Sequence, residues 1–347
     1  MFQDLSIEKI KERQATKPVA LIDVRSPSEF RDATIPGSRN IPFFTDDERA
    51  EVGTLYVQVG VHAAKERGLE IASAKLPQFV KEFAAIPGDK AVFCWRGGMR
   101  SKTVATVLSL MDIHVYRLSG GYRAYRQWVL DKLEAFDFQP KPYVIHGLTG
   151  TGKTNLLRRL KAKGYPVLDL EGMAGHRGSV FGQIGLQANN QKTFDALLAE
   201  ELLGHQHRRY LLFEAESKRI GKVVMPPFLA EQKDQATQLW IEMPLEARVR
   251  QILADYRPEE HKEAYLEAFR FIKGRIHIPV AAEIEQCLGN DEFGEAVSLL
   301  LEHYYDPRYE HSSPIRENVE KIIFDVRNAD EAEAAILAYL ASRDGSS

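Results

Sequence analysis

Short apolar runs alternate with longer amphipathic ones along the first third of the chain. Residues 19–24 (VALIDV) are rich in aliphatic and β-branched side chains and end in the turn-rich RSPSEF, the mark of a buried strand feeding a loop. Residues 91–94 (AVFC) predict a second buried strand, with a helix over 101–111 (SKTVATVLSLM) directly behind it. Residues 115–118 (VYRL) predict a third, closed by Ser119-Gly120-Gly121. Strands alternating with helices imply crossover units and a parallel sheet. Residues 136–142 (FDFQPKP) carry two prolines and read as a linker between domains.

The same grammar then restarts. Residues 143–146 (YVIH) predict a strand, GLTGTGKT a loop, and 155–163 a helix. Further strands are expected over 165–170, 210–213, 239–242 and 321–326, with largely helical stretches over 259–276 and 280–304. Asn328-Ala-Asp-Glu331 forms a capping box opening a helix that runs through Leu340. The expected fold class is α/β, with a parallel-sheet domain over 1–136 followed by an α/β domain over 143–347 that carries helical insertions.

Composition narrows the classes of function. At 347 residues, with 44% hydrophobic and 27% charged positions, two ordinary globular domains are expected. No apolar stretch approaches the ~18 residues needed to cross a bilayer. The start, MFQDLSIEKIKERQ, lacks an apolar core and a small-residue cleavage site, so no secretory signal is expected. Two cysteines far apart, Cys94 and Cys287, make no disulfide framework; a reducing, cytoplasmic setting is the expectation. With 46 Lys+Arg against 49 Asp+Glu the chain has no global basic footprint for nucleic acid, so a case for an RNA partner must come from motifs.

Two loops carry candidate chemistry. Gly147-Leu-Thr-Gly150-Thr-Gly152-Lys153-Thr154 satisfies the whole G-x-x-x-x-G-K-[ST] pattern between a predicted strand and a predicted helix. Glycines there let successive backbone N–H groups turn inward around a phosphate, and the helix N-terminus adds partial positive charge. Lys153 would reach terminal phosphates, and Thr154 would hold Mg²⁺ where a metal is used; no tightly bound cofactor is expected. Asp169 and Glu214, each ending a predicted strand, are equal candidates for the acid of this site. In the first domain, Cys94-Trp-Arg96-Gly97-Gly98-Met-Arg100-Ser101 closes a buried strand, turns on two glycines and enters a helix. Loop N–H groups and a helix dipole facing the sulfur favour a thiolate able to attack or carry sulfur or selenium. Cys287, in a helical EIEQCLG, reads as a packing residue.

DVRSPSEF at 23–30, PGSRNIP at 36–42, the Cys94 loop and LSGGYRAY at 118–125 together resemble the rhodanese superfamily. Fused to the P-loop domain, with FCWRGGMRS at 93–101 and EGMAGHRGSVFG at 171–182, they resemble the tRNA 2-selenouridine synthase family over essentially the whole chain. The resemblance implies an enzyme that replaces the sulfur of wobble 2-thiouridine in a tRNA anticodon loop with selenium from selenophosphate, and that S-geranylates the same base with geranyl diphosphate. It makes Cys94 the catalytic cysteine and Gly147, Gly152, Lys153 and Thr154 phosphate contacts. His176, Arg177, Arg208, Arg209, Arg248 and Arg250 are candidate contacts to the tRNA backbone. The C-x5-R spacing of Cys94 and Arg100 also occurs in cysteine phosphatases of rhodanese fold, which leaves that reading open. So is a P-loop kinase or NTPase regulated by a rhodanese module.

Overall fold

The structure, a computed structural model, describes residues 2–312 and 319–344. It divides into two units, Met1–Phe136 with Asp195–Ala199, and Asp137–Phe194 with Glu200–Ser347.

In the first unit, β1 (Gln3–Leu5) and α1 (Ile7–Gln14) precede β2 (Val19–Asp23), α2 (Pro27–Asp32) and β3 (Arg39–Asn40). A helical hairpin, α3 (Asp46–Gln58) and α4 (Val61–Ala84), leads to β4 (Asp89–Phe93), α5 (Met99–Leu110), β5 (Tyr116–Leu118) and α6 (Gly121–Glu134). All pairings are parallel in the order β1-β5-β4-β2-β3. Strand β4 is therefore central, and its unbroken apolar run Ala91-Val92-Phe93 is fully buried, as a strand covered on both faces requires. Around it Phe43, Phe79 and Phe83 interlock, with centroids 5.9 Å and 4.9 Å apart along the chain of rings. The α3–α4 hairpin was not foreseen from the pattern; α3 buries none of its side chains and has no apolar stripe to announce it.

The turn after β5 is built against the turn after β4. Tyr122 N donates to Cys94 O at 2.8 Å and Arg123 N to Trp95 O at 2.9 Å. Gly121, at φ +61°, makes this possible: a Cβ there would lie 2.2 Å from Cys94 O and 2.4 Å from Gly97 N. Both contacts are backbone and cannot move aside.

In the second unit the strands are β6 (Lys141–Gly147), β7 (Val167–Leu168), β8 (Tyr210–Glu214), β9 (Arg219–Ile220), β10 (Val223–Val224), β11 (Thr237–Glu242) and β12 (Lys321–Asp325). The helices α7 (Lys153–Ala162), α8 (Leu170–Ala174), α9 (Gln191–His205), α10 (Pro227–Gln235) and α11 (Leu245–Tyr256) intervene. A helical block follows: α12 (Lys262–Lys273), α13 (Ile278–Gly289), α14 (Phe293–Leu300) and α15 (Asp306–Ser312), with α16 (Ala329–Asp344) after β12. The main sheet is parallel in the order β12-β11-β6-β8-β7, and β9–β10 form a separate antiparallel pair. The chain leaves β6 toward β7 and β8 on one side and later fills β11 and β12 on the other. The loop after β6 thus sits at a topological switch point, where open α/β sheets bind ligands.

Several expected boundaries shift for local reasons. The strand expected over 165–170 is only Val167–Leu168, because Asp169 caps α8 by accepting from Gly172 N at 2.7 Å. The stretch expected to be largely helical over 280–304 is so, divided between α13 and α14 where Asp291 adopts φ 66°. Asn328 does cap α16, accepting from Glu331 N at 3.0 Å, but the Glu331 carboxylate reaches back to Arg327 N rather than to Asn328.

Replacing Gly121 with Ala forces a Cβ into two backbone atoms at a left-handed position. The variant should lose at least about 2 kcal/mol of stability in chemical denaturation. A Gly121→Ala protein with an unchanged denaturation midpoint would show that the two turns are not packed this way.

Candidate functional site

Cys94 directly follows β4 and is only 3% exposed, with its Sγ 3.2 Å from Ser101 Oγ in the first turn of α5. Gly98 caps α5, so the helix presents its unpaired N–H groups to the same loop. Arg100 does not lie loose in the loop. Its Nη1 and Nη2 donate to the two carboxylate oxygens of Glu29, at 2.5 and 3.1 Å. Burial opposes the Arg100 charge, but the Glu29 hydrogen bonds and charge, with a further contribution from Cys94, hold its pKa above the ordinary value. Glu29 is itself set by α2, where its carboxylate accepts from Ser26 N at 3.1 Å in a capping box. Arg117, anchored on Asp4, donates to Gly97 O at 2.9 Å and steadies the loop. Arg96 is exposed. Sequence reasoning had missed Glu29, Arg117 and Ser101 as parts of this site; Glu29 and Ser101 lay inside quoted motifs, while Arg117 carried no signal.

The loop after β6 wraps Leu148–Gly152 into the N-terminus of α7. Gly150, at φ +89°, passes so close to α11 that a Cβ would meet Ile252 at 2.8 Å and Arg248 O at 3.0 Å. Lys153 Nζ donates to Gly147 O at 2.7 Å and to Leu148 O at 3.3 Å, which holds its charge at the centre of the loop. Thr154 Oγ1 lies 2.6 Å from Glu171 Oε2 and 2.9 Å from Glu214 Oε2, and Glu171 N donates to Glu214 Oε1 at 2.9 Å.

Glu171, Glu214 and Glu216 place carboxylate oxygens within 4.8 Å of one another, the one such trio among the described residues. Burial, then the Glu216 charge, pushes Glu171 up to about 7. Burial and the Glu171 charge raise Glu214 well above the usual carboxylate range, and burial raises Glu216 against the pull of Lys153 and Lys233. Of the two acids weighed from sequence, Glu214 belongs to this site. Asp169 does not: it caps α8 and pairs with Arg158 at 2.8 Å. Glu171 and Glu216, each two residues beyond a candidate, were missed because convergence on Thr154 depends on β8 lying beside β6.

The arginines divide in the same way. Arg177 lines the cleft in front of Lys153, stacked 4.6 Å over Tyr256 and donating to Ile184 O and Asp255 O. His176 accepts from Gly178 N at 3.1 Å, and burial lowers its pKa, so it stays neutral and props the loop instead of meeting phosphate as a cation. Arg248 is buried; it forks onto Asp306 at 2.9 and 2.8 Å and donates to Thr149 O, bracing the phosphate loop instead of facing solvent. Arg208 and Arg209 are exposed just before β8, whose far end carries Glu214. Five residues at about 3.3 Å each put them at the opposite edge of the sheet from the cleft. Arg250 is exposed on α11.

The cleft has a volume of about 990 Å³ and is walled by Lys153, Thr154, Glu171, Glu216, Arg158 and Lys233. Beside it opens an apolar pocket lined by Phe181, Leu288, Phe293, Val297 and Leu300. Thr149, Ser179, Ile252, Tyr256 and Tyr305 are walls of both.

Residues 6–128 match the model of the Rhodanese-like domain, and residues 140–277 that of the tRNA 2-selenouridine synthase AAA domain. A tRNA 2-selenouridine synthase of Sulfurovum sp. is 32% identical over 92% of this chain and 94% of its own length. The chain belongs to the tRNA 2-selenouridine synthase family. Members with that name in Cupriavidus necator and Shewanella piezotolerans are 34% and 33% identical, each over 88% of this chain and 91% of theirs. In this family member the order of domains is a rhodanese domain followed by a P-loop domain, both α/β with parallel main sheets, as the motifs had indicated.

The glutamate cluster gives the family's second domain a pH signature. Glu171 is raised from 4.5 to about 7, so the folded protein holds that proton more tightly than the unfolded chain. Its stabilising contribution is full below about pH 4.5 and is lost as pH rises through 7. Between those limits the wild type should lose up to about 3 kcal/mol relative to Glu171→Gln. Denaturation midpoints that run parallel in the two proteins across this range would contradict the shift.

Proposed function

We propose that this chain exchanges the sulfur of wobble 2-thiouridine in tRNA for selenium from selenophosphate, by way of an S-geranylated base made with geranyl diphosphate. Family membership supports the tRNA and selenium parts. The observation that carries the prenyl part is the apolar pocket sharing five walls with the phosphate-loop cleft. The aliphatic and aromatic walls of that pocket offer little to the hydrogen-bonding edge of a nucleotide base, whereas a diphosphate ester of a hydrocarbon uses both surfaces at once.

In the first step the thiocarbonyl sulfur attacks C1 of geranyl diphosphate. The C1–O bond breaks, diphosphate leaves with the electron pair, and the base gives up its N3 proton. Backbone N–H groups of the 147–152 turn and Lys153 stabilise the charge that develops on the leaving group. Where no cation occupies the cluster, Glu171, raised to about 7, can take the proton. In the second step selenium from selenophosphate, held at the Cys94 loop, adds to C2. The C–S bond breaks, geranylthiol leaves, and water takes the phosphoryl group as phosphate. Cys94 and the α5 N-terminus are the groups that act in this step.

A divalent cation fits the phosphate loop. Thr154, Glu171, Glu214 and Glu216 are hard oxygen donors, and the burial that drives the three carboxylates toward protonation is what a bound cation would offset. Mg²⁺ held by these residues would supply further neutralisation of diphosphate charge.

Two variants separate the steps. Cys94→Ser should lower 2-selenouridine formation at least 100-fold while geranylated tRNA accumulates. Lys153→Ala should leave 2-thiouridine unmodified, yet still convert pre-geranylated tRNA to the selenium product. Mass spectrometry of tRNA nucleosides reads both. Loss of geranylation in Cys94→Ser with tRNA binding intact, or ATP turnover with no prenyl transfer in the wild type, would overturn the scheme.

A further inference from the structure

Trp95 follows the nucleophilic cysteine directly, and it is 38% exposed although its surroundings are rigid. Its carbonyl is held by Arg123 N at 2.9 Å, and the preceding carbonyl by Tyr122 N at 2.8 Å. The indole lies over Tyr122, with centroids 5.7 Å apart and planes at 36°. Tyr122 continues a ladder of rings down α6, to Tyr125 at 6.1 Å and from there to Trp128 at 5.7 Å, nearly parallel.

The guanidinium of Arg25 lies over two rings of the ladder, 4.4 Å from the centroid of Tyr122 and 5.9 Å from that of Trp95. Arg25 is itself immobile. It is 2% exposed, forks onto Asp23 with contacts of 3.0 and 2.6 Å, and donates to Ala33 O at 2.7 Å. The result is an indole held against buried Tyr122 and Arg25 and still 38% exposed to solvent. Exposed Arg96 comes next in the chain, and exposed Met99 opens α5.

Nothing in the sulfur or selenium chemistry of Cys94 calls for such a surface. A pre-set aromatic face with a flanking cation is what proteins use to hold an unstacked base of single-stranded RNA. We propose that Trp95 is the stacking platform that holds the wobble pyrimidine with its C2 toward Cys94. This rests on the tRNA reading above. It makes Trp95 a specificity-determining residue of the selenium step, since the indole belongs to the residue next to Cys94 and the same pair of backbone bonds to the start of α6 fixes both. The arrangement also explains the ladder: a platform that must orient a base within a fraction of an ångström is useful only if it cannot tilt.

The test uses the full chain and an anticodon stem-loop RNA with an S-geranylated wobble base, which bypasses the prenyl step. Trp95→Ala should raise KM for this RNA roughly 5- to 150-fold, the loss expected for one base–aromatic stack, with the melting temperature nearly unchanged. Trp95→Phe, which keeps a stacking face, should recover most of it. Tryptophan fluorescence of the wild type should be quenched by this RNA more than by the same RNA with an abasic wobble position, and that difference should vanish in Trp95→Phe. A base-dependent quench that persists in Trp95→Phe, or a KM in Trp95→Ala equal to that of the wild type, would sink the platform while leaving the tRNA reading intact. A wild type that binds neither RNA would sink both. If Trp95→Ala fails to fold, the Phe variant and its fluorescence decide the matter alone.

Discussion

The carbonyl of Cys94 accepts the amide of Tyr122 at 2.8 Å, and that bond exists because residue 121 carries no side chain. Everything proposed for the first domain depends on this closeness of backbone to backbone. It sets the direction in which the Cys94 loop leaves β4, brings the sulfur over the start of α5, and puts Trp95 on top of Tyr122. The second domain obeys the same constraint, with Gly150 pressed against α11 and the carbonyl of Thr149 braced by Arg248. A loop whose amide groups must line a concave surface has no room for side chains on its inner face, so glycine and a braced carbonyl recur wherever such a loop is needed.

Electrostatics then distinguishes the two sites. Around Cys94 three cations have a fixed acid: Arg100 has Glu29, Arg117 has Asp4 and Arg25 has Asp23. The guanidiniums are thereby held in place near the sulfur. Around Thr154 the balance is reversed. Three carboxylates crowd together under burial, and all three are raised toward protonation. Natural proteins seldom retain buried like charges without a use for them, because they lower stability unless a proton or cation intervenes. A cluster able to take up either suits the diphosphate chemistry proposed for this site.

Much of this was legible in the sequence because it is local. The spacing of Gly147, Gly152, Lys153 and Thr154, and that of Cys94, Gly97, Gly98 and Arg100, lies within eight residues and follows from the geometry of a strand–turn–helix. The parallel sheets could be anticipated from alternating apolar runs. Helix α3 could not, because it buries no side chain and so has no stripe to read, whereas α4 does bury Ile71, Ala72, Phe79 and Phe83. Nor could Asp169 be told from Glu171: both follow the same short strand, and which one turns inward is decided by the cap that starts α8.

By itself, then, the sequence determined the fold class, the two loops and the order of domains, since each is encoded by neighbours along the chain. The tertiary structure decided which acids face Thr154, why Arg248 braces a loop while Arg177 lines the cleft, and that an apolar pocket adjoins the phosphate-loop cleft. Those choices bring together residues up to roughly 150 positions apart, from α7, β8, α11 and α14. The reason is physical. A carboxylate or an arginine has no intrinsic direction, and only the crossover order of a parallel sheet fixes which of many similar side chains share a cavity.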